Sequence, residues 1–256
     1  MKLLDHCLIP AWPAPANVRA LQTTRHGGVS HAPYDSLNLG DHVGDVPLAV
    51  AQNRQLFSAL VPAEPVWLKQ VHGVEVANAD AAGCLPQADA SIARHTGAVC
   101  VVMTADCLPV LLCDASGTVV GAAHAGWRGL CHGIIERTVE AMAVPPGTLM
   151  AWLGPAIGPS AFEVGAEVRA AFVAAQPQAA QAFVPGADGK YLADLFLLAR
   201  QRLLALGISR IHGGGVCTYT DRERFFSYRR DGETGRMGTF IWLSHAGGVD
   251  SGDAQA

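Results

Sequence analysis

The chain has 256 residues, half of them hydrophobic and only 16% charged, with 18 Lys+Arg against 22 Asp+Glu. That composition excludes an intrinsically disordered chain, and a net charge of −4 offers no basic excess for general nucleic-acid binding. No run of about 18 apolar residues exists to span a membrane.

Asp5 and His6 interrupt the apolar N-terminal stretch, so no signal-peptide core is read there and a cytoplasmic protein without a membrane partner is expected. Residues 17–24 alternate weakly, as a strand does. TRHGGVS (24–30) and PYDSLNLG (33–40) read as loops. Pro47 to Leu60 has helical periodicity, closed by Pro62. Val66 to His72 alternates as a strand, with Gln70 and His72 on one face and Gly73 turning the chain. AVCVVMT (98–104), LPVLLCD (108–114) and TVVGAAH (118–124) are buried-strand patterns, the last two joined by DASG (114–117). AGWRG (125–129) opens a helix expected to run to about Met142. A strand at 149–153 enters the loop GPAIGP (154–159). Helices follow at 166–175 and 191–206, the second stopped by Gly207. A strand near 208–218 comes next, and residues 224–243 read as two strands around a Gly-rich turn. The expected architecture is α/β (mixed α+β): a single domain over residues 1–246, of mixed β-sheets with helices packed outside. Residues 247–256 are expected to fray.

The seven cysteines are odd in number, irregularly spaced and without a Cys-x-x-Cys pair, which fits reduced thiols better than a disulfide framework. Cys107 stands out because ADCLP (105–109) is a short loop between two buried strands. With DASG as a two-residue turn, Cys107 falls opposite His124, with Cβ atoms about 4.5–5.5 Å apart. His124 also precedes a helix start, whose positive potential favours a thiolate or an anion. Such a pair can be a nucleophilic dyad with His124 as base, two ligands of a metal site, or a packed cross-strand pair. A third metal ligand must come from elsewhere, and His72 in QVHG (70–73) is the best candidate. Arg25, Arg128, Arg229, Arg230 and Arg236 lie on Gly-rich loops or at the helix start, where a guanidinium can reach phosphate or carboxylate. GPAIGP lacks the Gly-Lys-Ser/Thr ending of a phosphate loop.

QVHG (70–73), ADCLPVLL (105–112), HAGWRG (124–129), GPAIGP (154–159) and YRRDGETGRMG (228–238), with SLNLGDHVGD (36–45), resemble the bacterial YfiH-like family. Its members have been called laccase-domain protein, polyphenol oxidase, purine nucleoside phosphorylase and peptidoglycan editing factor. The resemblance covers about residues 20–243 and implies a single-domain α/β fold. It also implies a zinc site formed by His72, Cys107 and His124. The implied activities are phosphorolysis of adenosine, inosine, guanosine and methylthioadenosine, and deamination of adenosine. The partners are then small molecules, purine nucleosides and phosphate, and not nucleic acid. Candidate catalytic residues are Cys107 and His124, with Asp106 or Asp89 as a proton-shuttling carboxylate. Candidate substrate or phosphate contacts are Arg25, Asn38, Gln70, Arg128, Arg229 and Arg230. Ser160-Ala161 departs from the Cys that many members carry after the second Gly-Pro.

Three alternatives stand beside the zinc enzyme. A cysteine hydrolase or amidase editing a peptidoglycan precursor would use Cys107 as nucleophile. A copper polyphenol oxidase is the weaker one: the chain has ten histidines and no His-x-His pair, too few for a trinuclear cluster, though one two-His, one-Cys copper site is conceivable. The third is a non-enzymatic metal- or partner-binding protein. A cytidine-type deaminase is disfavoured, since neither His-x-Glu nor Pro-Cys-x-x-Cys occurs.

Overall fold

The computed structural model describes residues 3–81, 83 and 85–245; the expectation for 247–256 lies outside the described residues. Along the chain come β1 (Val18–Gln22), α1 (Pro47–Ser58), β2 (Val76–Asn78), β3 (Ala90–Ala93), β4 (Val99–Thr104), β5 (Leu108–Asp114) and β6 (Val120–Ala125). Then follow α2 (Trp127–His132), α3 (Ile134–Met142), β7 (Leu149–Leu153), β8 (Glu163–Val164), α4 (Ala166–Ala175), β9 (Phe183–Pro185) and β10 (Tyr191–Ala193). The last elements are α5 (Leu195–Ala205), β11 (Arg210–Gly213), α6 (Tyr228–Asp231) and β12 (Met237–Leu243).

A six-stranded sheet runs β11-β7-β5-β6-β3-β2, and a three-stranded sheet runs β1-β12-β4. The first is mixed: β11 with β7 and β2 with β3 are parallel, and its inner pairs are antiparallel. A third, small sheet runs β8-β10-β9. Strands buried on both faces explain the continuous apolar runs of the sequence. In β5, Leu108, Val110 and Leu112 join Ile135, Val139 and Leu198 under the helices. The alternate residues Leu111 and Cys113 meet Cys100, Val102 and Ile241 from the second sheet. The far face of that second sheet carries Val99, Val101 and Phe240 against Phe57 of α1. The layers are therefore helices α2–α5, six-stranded sheet, three-stranded sheet, and α1 with its flanking loops. No described helix is long and apolar enough to cross a membrane.

Four expectations about local structure are corrected. The β5–β6 turn is longer than two residues, because the Asp114 carboxylate accepts from Ser116 N, Thr118 N, Thr118 Oγ1 and Val119 N. That wrap shifts the register, so His124 faces Pro109 rather than Cys107. Val66–His72 is not a strand: only Val66 makes a bridge, to Cys100. The expected helix from 126 to 142 is broken at Gly133, whose φ of 98° closes α2 before α3 starts. At the C-terminus one strand, β12, forms, and the residues before the turn wind into α6. There the Ser227 hydroxyl caps by accepting from Arg230 N.

Candidate metal centre

The C-terminal ends of β4 and β6 and the start of β5 meet at one end of the sandwich. His124 sits near the end of β6, 3% exposed. Cys107 follows Asp106, whose φ of 87° reverses the chain between β4 and β5. By register Cys107 lies two residues beyond Pro109, so thiol and imidazole are diagonal neighbours on one face, a spacing still within reach of long side chains.

His72 arrives from the loop after Gln70. The Gln70 side chain takes the place of a neighbouring strand: Nε2 donates to Met103 O at 2.9 Å, and Oε1 accepts from Met103 N at 2.7 Å. His72 itself has a φ of 60°, and this curl points three successive N–H groups at one carboxylate. Val71 N, His72 N and Gly73 N donate to Asp89 at 3.1, 2.9 and 2.7 Å. Asp89 is fully buried. Its Oδ1 accepts from His124 Nδ1 at 2.8 Å, and its backbone carbonyl accepts from His124 N at 2.7 Å. One carboxylate thus fixes both histidines. It also leaves Nε2 of His124 as the free ring nitrogen.

The ligand atoms of His72, Cys107 and His124 all lie within 4.8 Å of one another, the single such group of donors among the described residues. The two imidazoles cross edge to face, with centroids 4.8 Å apart. Gly126 makes the room: a Cβ there would come 2.8 Å from Cys107 Sγ and 3.3 Å from His72 Cδ2. His72 is exposed, so the centre is open to solvent on one side.

Burial alone would push the Cys107 thiol up. The charge of His124, with hydrogen bonds from His124 and His72, outweighs it and draws the thiol down to about 6. Burial would lower His124, but Cys107 and Asp89 hold it above the usual imidazole range. Cys100 and Cys113 behave oppositely: burial pushes both to about 12, so they are inert core thiols. A thiolate and two imidazoles, one backed by a carboxylate, form a donor set suited to zinc.

The other candidate residues are placed as follows. Asp106 is filled by Thr218 Oγ1, Ser227 Oγ and Arg229 N at 2.6, 3.0 and 2.7 Å. Asp89 takes four donors and Asp106 three, so both are built as anchors in this geometry. Asn38 is spent on Gly40, Asp45 and Arg236 N, and Gln70 on Met103. Arg25 is tied to Asp35 and to Arg222 O, and Arg230 to Thr218 O, Tyr219 O, Phe225 O and Asp231. Arg229 donates to Glu163 O and lies over Phe162. Arg128 is exposed, over the Trp127 ring. A further arginine, Arg236, lies close enough for the charge of Cys107 to act on it. Burial lowers its pKa, while Cys107 and Asp106 hold it up through their charges. Arg236 lies in the motif YRRDGETGRMG, and pairing of Met237 with Thr104 brings it there, a link between distant segments.

The family described as multi-copper polyphenol oxidoreductase laccase matches residues 19–244. The chain belongs to this family. It is 57% identical over 237 residues to a Pseudomonas aeruginosa protein named purine nucleoside phosphorylase, covering 92% of this chain and 98% of that one. It is also 57% identical over 243 residues to the Escherichia coli purine nucleoside phosphorylase YfiH, covering 94% and 100%. Among solved structures, a Neisseria meningitidis protein superposes with a TM-score of 0.92 at 53% identity, over 93% of this chain and 99% of that one. Bacillus licheniformis YfiH superposes at 0.82 with 31% identity, over 89% and 93%. The laccase-family member described here thus shares the mixed single-domain fold of the YfiH structures.

Proposed function

We propose that this protein is a zinc-dependent purine nucleoside enzyme. It would phosphorolyse adenosine, inosine, guanosine and methylthioadenosine to base and sugar 1-phosphate, and deaminate adenosine. The relatives named purine nucleoside phosphorylase support the substrate class. The observation that carries the reading is the convergence of His72, Cys107 and His124 on one solvent-open point. Bound there, zinc would act as a Lewis acid that lowers the pKa of water at its open position. The chain's own part is to hold the donors. Asp89 fixes both histidines, Gly126 leaves space, and the exposed His72 side admits substrate. Copper oxidation fits less well. No second donor group exists among the described residues for a multicopper cluster. Met103, the methionine nearest Cys107 in sequence, turns to the opposite face, among Phe57 and Trp67.

One observation favours a second reading. Cys107, His124 and Asp89 are arranged as nucleophile, base and orienting carboxylate, which a cysteine amidase acting on a peptidoglycan precursor would need. Metal analysis with turnover separates the two. The zinc enzyme predicts stoichiometric zinc lost on Cys107→Ser, phosphate-dependent release of base from inosine, and ammonia from adenosine. A metal-free wild type, labelled at Cys107 by iodoacetamide and active only on amides, would replace it with the amidase.

A further inference from the structure

Arg236 has no described carboxylate in ion-pair contact, although the charges of Cys107 and Asp106 act on it. The nearby Asp106 is filled by Thr218, Ser227 and Arg229. A partly desolvated guanidinium left unpaired is costly unless something else neutralises it.

Its orientation is nevertheless fixed. Arg236 N donates to Asn38 Oδ1 at 2.9 Å. The stem packs on Gly40, where a Cβ would come 2.8 Å from Arg236 Cγ. Nη1 donates to Thr234 O and Gly235 O at 2.9 and 3.0 Å. The Nε and Nη2 hydrogens form the edge that carries no hydrogen bond to a described residue. That edge is the one a guanidinium uses to grip two oxygens of an oxyanion. Against the same guanidinium stands Thr234, 2% exposed, whose Oγ1 has no hydrogen-bond partner. A buried hydroxyl without a partner is uncommon and calls for a ligand or water. Because Met237 pairs with Thr104, Arg236 enters β12 beside the end of β4, three residues before Cys107.

We propose that Arg236, through its free edge, and Thr234, through its hydroxyl, form a phosphate subsite beside the His72–Cys107–His124 centre. The proposal rests on the nucleoside phosphorylase reading. The attacking phosphate would be held on the β12 side of the centre, and the nucleoside would enter past His72.

The test uses the full-length, zinc-loaded protein with inorganic phosphate as the probe. In the wild type, phosphate raises the melting temperature in a saturable way. In Arg236→Gln that shift disappears, and KM for phosphate rises about tenfold or more, the loss expected for a charged hydrogen bond. KM for inosine stays within about twofold and zinc content is unchanged, because neither depends on that bond. Arg236→Lys keeps the charge but not the fork, and gives an intermediate KM for phosphate; it also serves if the glutamine variant does not fold. Thr234→Val raises KM for phosphate by about threefold to tenfold. A wild-type KM for phosphate in both arginine variants overturns the subsite while leaving the phosphorylase reading intact. Phosphate binding lost with Arg236, in a wild type that cleaves no nucleoside, upholds the subsite and overturns that reading instead.

Discussion

Asp89 accepts from Nδ1 of His124 at 2.8 Å while three N–H groups of the His72 loop fill the rest of its carboxylate. One buried anion therefore orients the His124 imidazole and anchors the backbone that carries His72. The Asp89 carboxyl is held below the usual carboxylate range: burial opposes this, and the His124 and backbone hydrogen bonds overcome it.

Asp89→Asn removes that charge and turns an NH₂ group toward N–H donors. Zinc affinity, measured by competition with a chromophoric chelator, should fall about 10- to 100-fold, the usual effect of losing such a supporting partner. Unchanged affinity would show that the histidines are oriented by packing alone.

Gly126 tests the space around the thiol. Its backbone, φ −62° and ψ 158°, accepts any residue, so Gly126→Ala introduces no backbone strain. The added methyl would meet Cys107 Sγ at 2.8 Å, well inside van der Waals contact. Zinc occupancy should drop with far-ultraviolet circular dichroism unchanged. Full occupancy in the alanine variant would mean that Cys107 moves without cost.

How much of this was legible beforehand depends on where each determinant lies. Leu108–Asp114, Leu149–Leu153 and Ala166–Ala175 were readable because apolar runs or helical periodicity end at turn residues close by. The β5–β6 register was not, because it turns on how many donors the Asp114 side chain gathers, and a two-residue loop fits the same letters. Val66–His72 has a strand's alternation, but its sheet partner is replaced by the Gln70 amide. His72 was the best candidate for a third ligand from its place beside Gly73, and the motif resemblance implied it too. Asp89 and Asp106 were visible as carboxylates near the motifs, but their filled hydrogen bonds were not. Arg236 was legible as an arginine on a Gly-rich turn suited to an anion, but its nearness to Cys107 was not, because that comes from β12 pairing with β4.

The Asp114 turn makes a pH-dependent contribution. Burial raises its pKa, but the hydrogen bonds from Val119, Thr118 and Ser116 outweigh this and depress the folded value. A depressed carboxylate stabilises above its unfolded pKa of about 3.9 and loses that contribution as pH falls through the folded value. Asp114→Asn should cost about 1–3 kcal/mol at pH 7, as buried donors lose charged acceptors. In urea unfolding, the gap between wild type and variant should narrow below about pH 4. A gap independent of pH would mean that the turn is held by backbone bonds alone.

Asp106 separates an anchor from a proton carrier. Its φ of 87° is tolerated by asparagine but strains alanine. Its oxygens tie the start of β5 to Thr218, Ser227 and Arg229. Asp106→Ala should therefore cost about 2–4 kcal/mol, from three lost hydrogen bonds and the backbone strain. Asp106→Asn keeps the backbone and part of the bonding, and should cost about half that. If Asp106 only positions the Cys107 loop, the asparagine variant retains kcat for adenosine deamination within about tenfold, with the same pH profile. A proton-transfer role instead predicts a loss of about 100-fold or more and the disappearance of one limb of that profile. The positioning role is expected, because three donors hold the carboxylate in place and tie it to the segments around Thr218 and Ser227.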